Sequence, residues 1–170
     1  MKPYVCFLIT SLSAIPLLAQ EEKEKFALPM EVGQGFQDTS PSLSYLASFS
    51  IAPMAGLQMN SMNKFRAGGV ANLYYTNTGW DFSYGPRIAY RLNKTGELGN
   101  VFNFWIFGEA TFSGEKRNLY GGGLTLALNP LEITLHPQYE YYNQEFWLAT
   151  KIGVNLGVLF RKESNDPLGN

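Results

Sequence analysis

Residues 79–92, GWDFSYGPRIAYRL, alternate in character with a period of two. Trp80, Phe82, Tyr84, Pro86, Ile88, Tyr90 and Leu92 form one series, wholly apolar or aromatic. Gly79, Asp81, Ser83, Gly85, Arg87, Ala89 and Arg91 form the other, which is small, polar or charged. Successive side chains of a strand point to opposite faces, so the segment predicts a strand with one oily face and one polar face. The same period recurs in six further segments. Their oily phases run Tyr45 to Leu57, Ala67 to Tyr75, Phe102 to Phe112, Tyr120 to Leu128, Leu131 to Tyr141 and Phe146 to Phe160. The oily phases carry no charge, whereas the opposite phases hold Arg66, Asp81, Arg87, Arg91, Glu109, Glu132, Glu140, Lys151 and Arg161.

Short connections join these strands. TNTG spans one turn near residue 77, and Asn143-Gln144 reads as a two-residue turn with Tyr142 and Glu145 opposed on the polar face. NKTGELGN is the longest link. Sequential hairpins imply an up-and-down antiparallel meander. Single-chain barrels normally hold an even number of strands. LPMEVGQGFQ, residues 28–37, supplies an eighth, with Met30, Val32 and Phe36 on one phase and Gln34 interrupting it. The fold class expected is therefore all-β: a single up-and-down barrel of about eight strands.

Which face looks outward separates a soluble sheet from a membrane barrel. After the N-terminal segment no stretch is long and apolar enough for a spanning helix, so any crossing of a membrane must use strands. Trp80 and Tyr90 are ten residues apart, as are Phe102 and Phe112. At about 3.3 Å per residue and a tilt near 40°, that separation covers roughly 25 Å along a barrel axis, the height of an apolar membrane band. One barrel end would collect Tyr75, Trp80, Phe112, Tyr120, Tyr141 and Phe146, and the other Tyr90, Phe102 and Phe160. These are two aromatic girdles. The polar face is poor in Lys and Glu and rich in Gly, Ala, Ser, Thr and Asn. That composition suits a narrow interior better than a water-facing sheet.

The N-terminus adds a compartment. MKPYVCFLITSLSAIPLLAQ has Lys2, an apolar run interrupted by Ser11, Ser13 and Pro16, and then Ala19-Gln20, the form of a secretory signal peptide. The organisation expected is a signal peptide over 1–19, a polar tail over 20–27, a membrane barrel over 28–161 and a C-terminal tail over 162–170. Cys6, the sole cysteine, lies inside the leader, so a mature chain would have no disulfide and no thiol chemistry. A net charge of −1 leaves no electrostatic footprint for nucleic acid.

Lys151-Ile-Gly153-Val-Asn-Leu156-Gly-Val158, with Phe160 continuing the oily phase, resembles the C-terminal sorting pattern of outer-membrane barrels. It departs from that pattern in having ten residues after Phe160. With the leader, residues 28–161 resemble the small eight-stranded outer-membrane barrels of Gram-negative bacteria, of OmpA and OmpX architecture. The resemblance implies an outer-membrane location, contact with outer-membrane lipid, and an interior filled by side chains.

Candidate chemistry is sparse. His136 is the single histidine, no serine and carboxylate can be set beside it from the sequence, and one histidine without cysteine makes no metal site. Neither GQGFQD nor Gly121–Gly123 opens a helix, so neither is a phosphate loop. No catalytic residue, metal or cofactor is assigned. Arg87, Arg91, Glu109, Glu132, His136, Glu140 and Lys151 are expected to interlock as a charge network in the lumen, with Lys151 near Glu132, His136 or Glu140. The function expected is a structural or accessory subunit beside a larger outer-membrane complex. The alternatives are a lipid-modifying barrel enzyme and a periplasmic soluble barrel that binds an apolar ligand.

Overall fold

The computed structural model describes residues 26–39, 42–59, 62–76, 79–93, 102–114, 118–128 and 130–159. The leader, Phe160 and the tail over 162–170 lie outside the described residues. One antiparallel sheet contains β1 (Phe26–Ala27), β2 (Pro29–Thr39), β3 (Ser42–Ile51), β4 (Met54–Met59) and β5 (Met62–Thr76). It continues through β6 (Gly79–Arg91), β7 (Asn103–Ser113), β8 (Asn118–Leu128), β9 (Leu131–Glu140) and β10 (Glu145–Asn155). β6 pairs with both β5 and β7, and β10 pairs with both β2 and β9, so the sheet closes on itself.

The ten segments amount to eight strands. β2 meets β3 as Met30↔Ile51 and β1 meets β4 as Phe26↔Ala55, one register carried across the break at Leu28. β3 and β4 likewise keep one register against β5, from Ile51↔Ala71 to Met54↔Gly68. Pro53 has no N–H to give the ladder there, but its carbonyl accepts from Gly69 N at 3.1 Å. Ala52 N donates to Pro29 O at 3.0 Å, so the backbone stays satisfied through the break.

Three boundaries differ from the sequence expectation. Phe26 and Ala27, expected in the polar tail, are paired strand. β10 ends at Asn155, and Leu156–Leu159 turn into a short helix, α1, instead of continuing the strand to Phe160. Asn155 explains the stop: its Oδ1 accepts from Gly157 N at 3.1 Å, as an N-cap does, and from Leu28 N at 3.0 Å. The β9–β10 turn is four residues, with Glu140↔Glu145 as its last pair, and not the two-residue Asn143-Gln144 turn. Asn143 Nδ2 bonds both carboxylate oxygens of Glu140, and Gln144 sits at φ 56°, so the wider turn satisfies itself. Tyr142 is consequently exposed and does not enter the interior.

Glycines let the strands coil tightly at mid-height. The β6–β7 ladder skips Gly85 and Pro86 between Tyr84↔Phe112 and Arg87↔Glu109, and a Cβ on Gly85 would strike the Ala110 carbonyl. The β8–β9 ladder skips from Gly121↔Gln138 to Leu124↔Leu135, where a Cβ on Gly123 would strike the Leu135 carbonyl. A barrel this narrow needs such points of close backbone approach.

Candidate functional site: a charge-filled lumen

The oily phase of every strand faces out and the polar phase faces in. Val32, Phe82, Ile88, Ile106, Leu124, Leu135 and Ile152 are exposed, whereas Glu31, Arg87, Glu109, His136 and Lys151 are buried. Eight strands leave an interior just wide enough for side chains to fill.

The centre of the lumen is a compact ionic cluster. Arg87 of β6 donates from Nε to Glu109 Oε2 at 2.7 Å and from Nη1 to Glu31 Oε2 at 3.2 Å. Glu31 of β2 also accepts from Ser50 Oγ at 3.1 Å and Thr134 Oγ1 at 2.8 Å, and Lys151 Nζ lies 4.0 Å from it. Lys151 donates to Ser50 Oγ at 3.3 Å. His136 Nε2 is 3.3 Å from Glu109 Oε1, and its ring packs edge-on to Phe107 at 5.0 Å. Two carboxylates thus face two cations in the buried centre of the lumen. Each charge would cost several kcal/mol if left alone there, but pairing and hydrogen bonds make the set tolerable.

At the end of the lumen nearest the β9–β10 turn, neutral side chains pack beside the buried carboxylates Asp81 and Glu140. Gln138 Nε2 bridges Glu109 Oε1 and the Tyr74 hydroxyl, at 3.2 Å each. Tyr74 stacks edge-on to Trp147 at 5.6 Å, with Leu119 in the same buried cluster. Toward the end where the described chain begins and finishes, a cavity of about 20 Å³ is bordered by Glu31, Arg66, Arg87, Trp105 and Glu132, room for about one water molecule.

The seven expected lumen residues are all buried. Among the described residues, Arg87, Glu109, His136 and Lys151 meet at the centre. Glu132 accepts from Asn155 Nδ2 at 3.1 Å, and Glu140 is held by Asn143 at the turn. Arg91 lies against Trp105, its Cζ 5.9 Å from the ring centroid. Lys151 takes Glu31 and Ser50 as partners, where the sequence reading set it near Glu132, His136 or Glu140. Glu31 is the residue sequence reasoning missed. It alternates with Met30 and Val32, so the phase of its strand was the available signal, obscured by Gln34.

Of the girdle residues, Tyr75, Trp80, Tyr90, Phe112, Tyr120, Tyr141 and Phe146 are exposed on the outer face, and Phe102 is half-buried. They pair across the strand ends: Tyr75 with Trp80 at 5.0 Å, Phe112 with Tyr120 at 6.3 Å, and Tyr90 with Phe65 at 6.2 Å.

A designed transmembrane β-barrel superposes with a TM-score of 0.51 and 11% identity, covering 79% of this chain and 99% of that one. The fold is that of a transmembrane-type β-barrel. Ail, the attachment invasion locus protein of Yersinia pestis, solved with the heparin analogue sucrose octasulfate, aligns at 0.41 and 11% identity over 77% of this chain and 96% of its own. No protein-family model and no curated protein matches the chain.

Proposed function

We propose that the chain is an integral outer-membrane barrel with a lumen closed by its own side chains, serving as a non-enzymatic structural or accessory subunit of a larger membrane complex. The observation that carries this reading is the inverted burial: apolar and aromatic side chains outside, ion pairs inside. A water-soluble barrel would put those classes the other way round. Among the described residues the central cluster and the Tyr74–Trp147 packing fill the lumen, which argues against a porin. β2–β3, β5–β6 and β9–β10 are joined by at most four residues at the end opposite Phe26 and Asn155, too little for a receptor built on long recognition loops. His136 is fully buried between Glu109 and Phe107, away from the lipid-facing surface that a lipid-modifying enzyme would work from.

Fractionation tests the location: the mature protein should need detergent for extraction and run differently on a gel before and after boiling. Recovery as a detergent-free soluble monomer would defeat it. Extraction in mild detergent followed by co-purification tests the accessory role. A reproducible stoichiometric membrane partner is expected, and a protein that always purifies alone from mild detergent would contradict it.

A further inference from the structure

The lumen layer toward the end where the described chain begins and finishes holds two arginines on one indole. Arg66 Cζ lies 3.9 Å and Arg91 Cζ 5.9 Å from the centroid of the Trp105 ring. Arg91 is the last residue of β6, opposite Trp105 in register, and is 7% exposed. Among the described residues its Nε and Nη2 have no hydrogen-bond partner. Arg87 is the contrast within the same strand, since its Nε and Nη1 are both taken by carboxylates.

The two orphaned nitrogens of Arg91 share one edge of the guanidinium. Their N–H bonds run parallel, the geometry that grips two oxygens of one carboxylate or phosphate. Leaving charged donors buried and unmet is costly, so an acceptor that can reach them gains more than it would on an open surface. The Trp105 face offsets part of the repulsion between the two cations; Arg66 shares its cavity with Glu132, so the grip on an anion falls to Arg91.

We propose that Arg91, with Arg66 beside it on Trp105, is a receptor for a small oxyanion, phosphate or carboxylate, entering from the barrel end where the described chain begins and finishes. The oxyanion can be free in solution or borne by a lipid headgroup at the rim. Either would meet the same bidentate edge.

The test is a titration of the ¹⁵N-labelled barrel in neutral-detergent micelles, at ionic strength held constant with chloride. Inorganic phosphate and acetate are added in separate arms, and phosphatidylglycerol is doped into the micelle in a third. The probe is the Arg91 Nε–H resonance, assigned by its absence in Arg91→Lys. A saturable displacement of that resonance is expected, with the Arg87 Nε–H resonance unmoved. Displacement by phosphate or acetate alone names a free anion, and displacement by phosphatidylglycerol alone names the headgroup. No displacement in any arm, or an equal one when only chloride is raised, overturns the proposal. A second readout uses the temperature at which the unboiled gel form is lost. The effective oxyanion should raise it in wild type and not in Arg91→Lys, which keeps the charge but lacks the fork. An equal rise in both would also overturn the assignment.

Discussion

Glu109→Gln removes one negative charge from the centre of the lumen and changes almost no volume. The side chain it replaces accepts from Arg87 Nε at 2.7 Å and Gln138 Nε2 at 3.2 Å, and lies 3.3 Å from His136 Nε2. A glutamine amide can still accept through its oxygen, but its NH₂ must then face Arg87 Nε or Gln138 Nε2, both donors. Arg87 and Lys151 would then share the single carboxylate of Glu31. Breaking a buried pair by removing one partner costs about 3–5 kcal/mol. Arg87 keeps its 3.2 Å bond to Glu31, so the low end, about 3 kcal/mol, is expected. The double variant Arg87→Met/Glu109→Gln removes both charges and should recover much of that loss, giving a coupling in the range of about 0.5–3 kcal/mol. Urea unfolding in lipid vesicles, followed by tryptophan emission, measures all four corners of the cycle. A Glu109→Gln protein within about 0.5 kcal/mol of wild type, the ordinary range for surface changes, would refute the view that this cluster holds the barrel together.

Depth should govern substitutions on the outer face. Leu135→Arg, at mid-strand on β9, should cost about 2–4 kcal/mol in vesicles, and Leu131→Arg, at the strand end, about 0–1 kcal/mol; equal costs in the same urea assay would contradict a lipid-facing β9. Gly85→Ala should lose at least about 1–3 kcal/mol or fail to refold, because the new methyl meets the Ala110 carbonyl. Gly108→Ala, whose methyl would meet the Gly121 carbonyl oxygen at an ordinary 3.9 Å, should refold with wild-type yield. In planar bilayers the folded protein should insert without steady conductance, and an ohmic channel would show that the lumen is a transport path.

The faces of the barrel were legible because the period of two is unbroken where it matters. In β6 every oily residue from Trp80 to Tyr90 is outward, and Asp81, Ser83, Arg87 and Arg91 are inward. Alternation fixes which face a side chain takes but not its height or its neighbour across the lumen. That is why Arg87, Glu109, His136 and Lys151 could be set inside while the approach of Lys151 to Glu31 and Ser50, 120 and 101 residues away along the chain, could not be read. Glu31 itself was hidden by composition: Gly33, Gly35 and Gln34 weaken the pattern of β2, and only its pairing with both β3 and β10 makes it a strand. The ends were missed for a different reason. Leu156 and Val158 keep the oily phase, but the Asn155 side chain caps a helical turn, and a local hydrogen bond overrides periodicity.

The inside-out arrangement can be tested directly with the protein's own tryptophans. Trp80 is 66% exposed on the outer face, whereas Trp105 at 5% and Trp147 at 0% lie in the lumen. The mature protein is folded into vesicles of phosphatidylcholine brominated at chosen acyl positions, and the quenching of its emission is compared with that of Trp80→Phe. Wild type should be quenched most by bromines close to the headgroup, through Trp80 in its girdle. Trp80→Phe should retain folded gel mobility and emit unquenched at every bromine depth. Strong quenching that survives in Trp80→Phe would put Trp105 or Trp147 against lipid and contradict the assignment of the two faces.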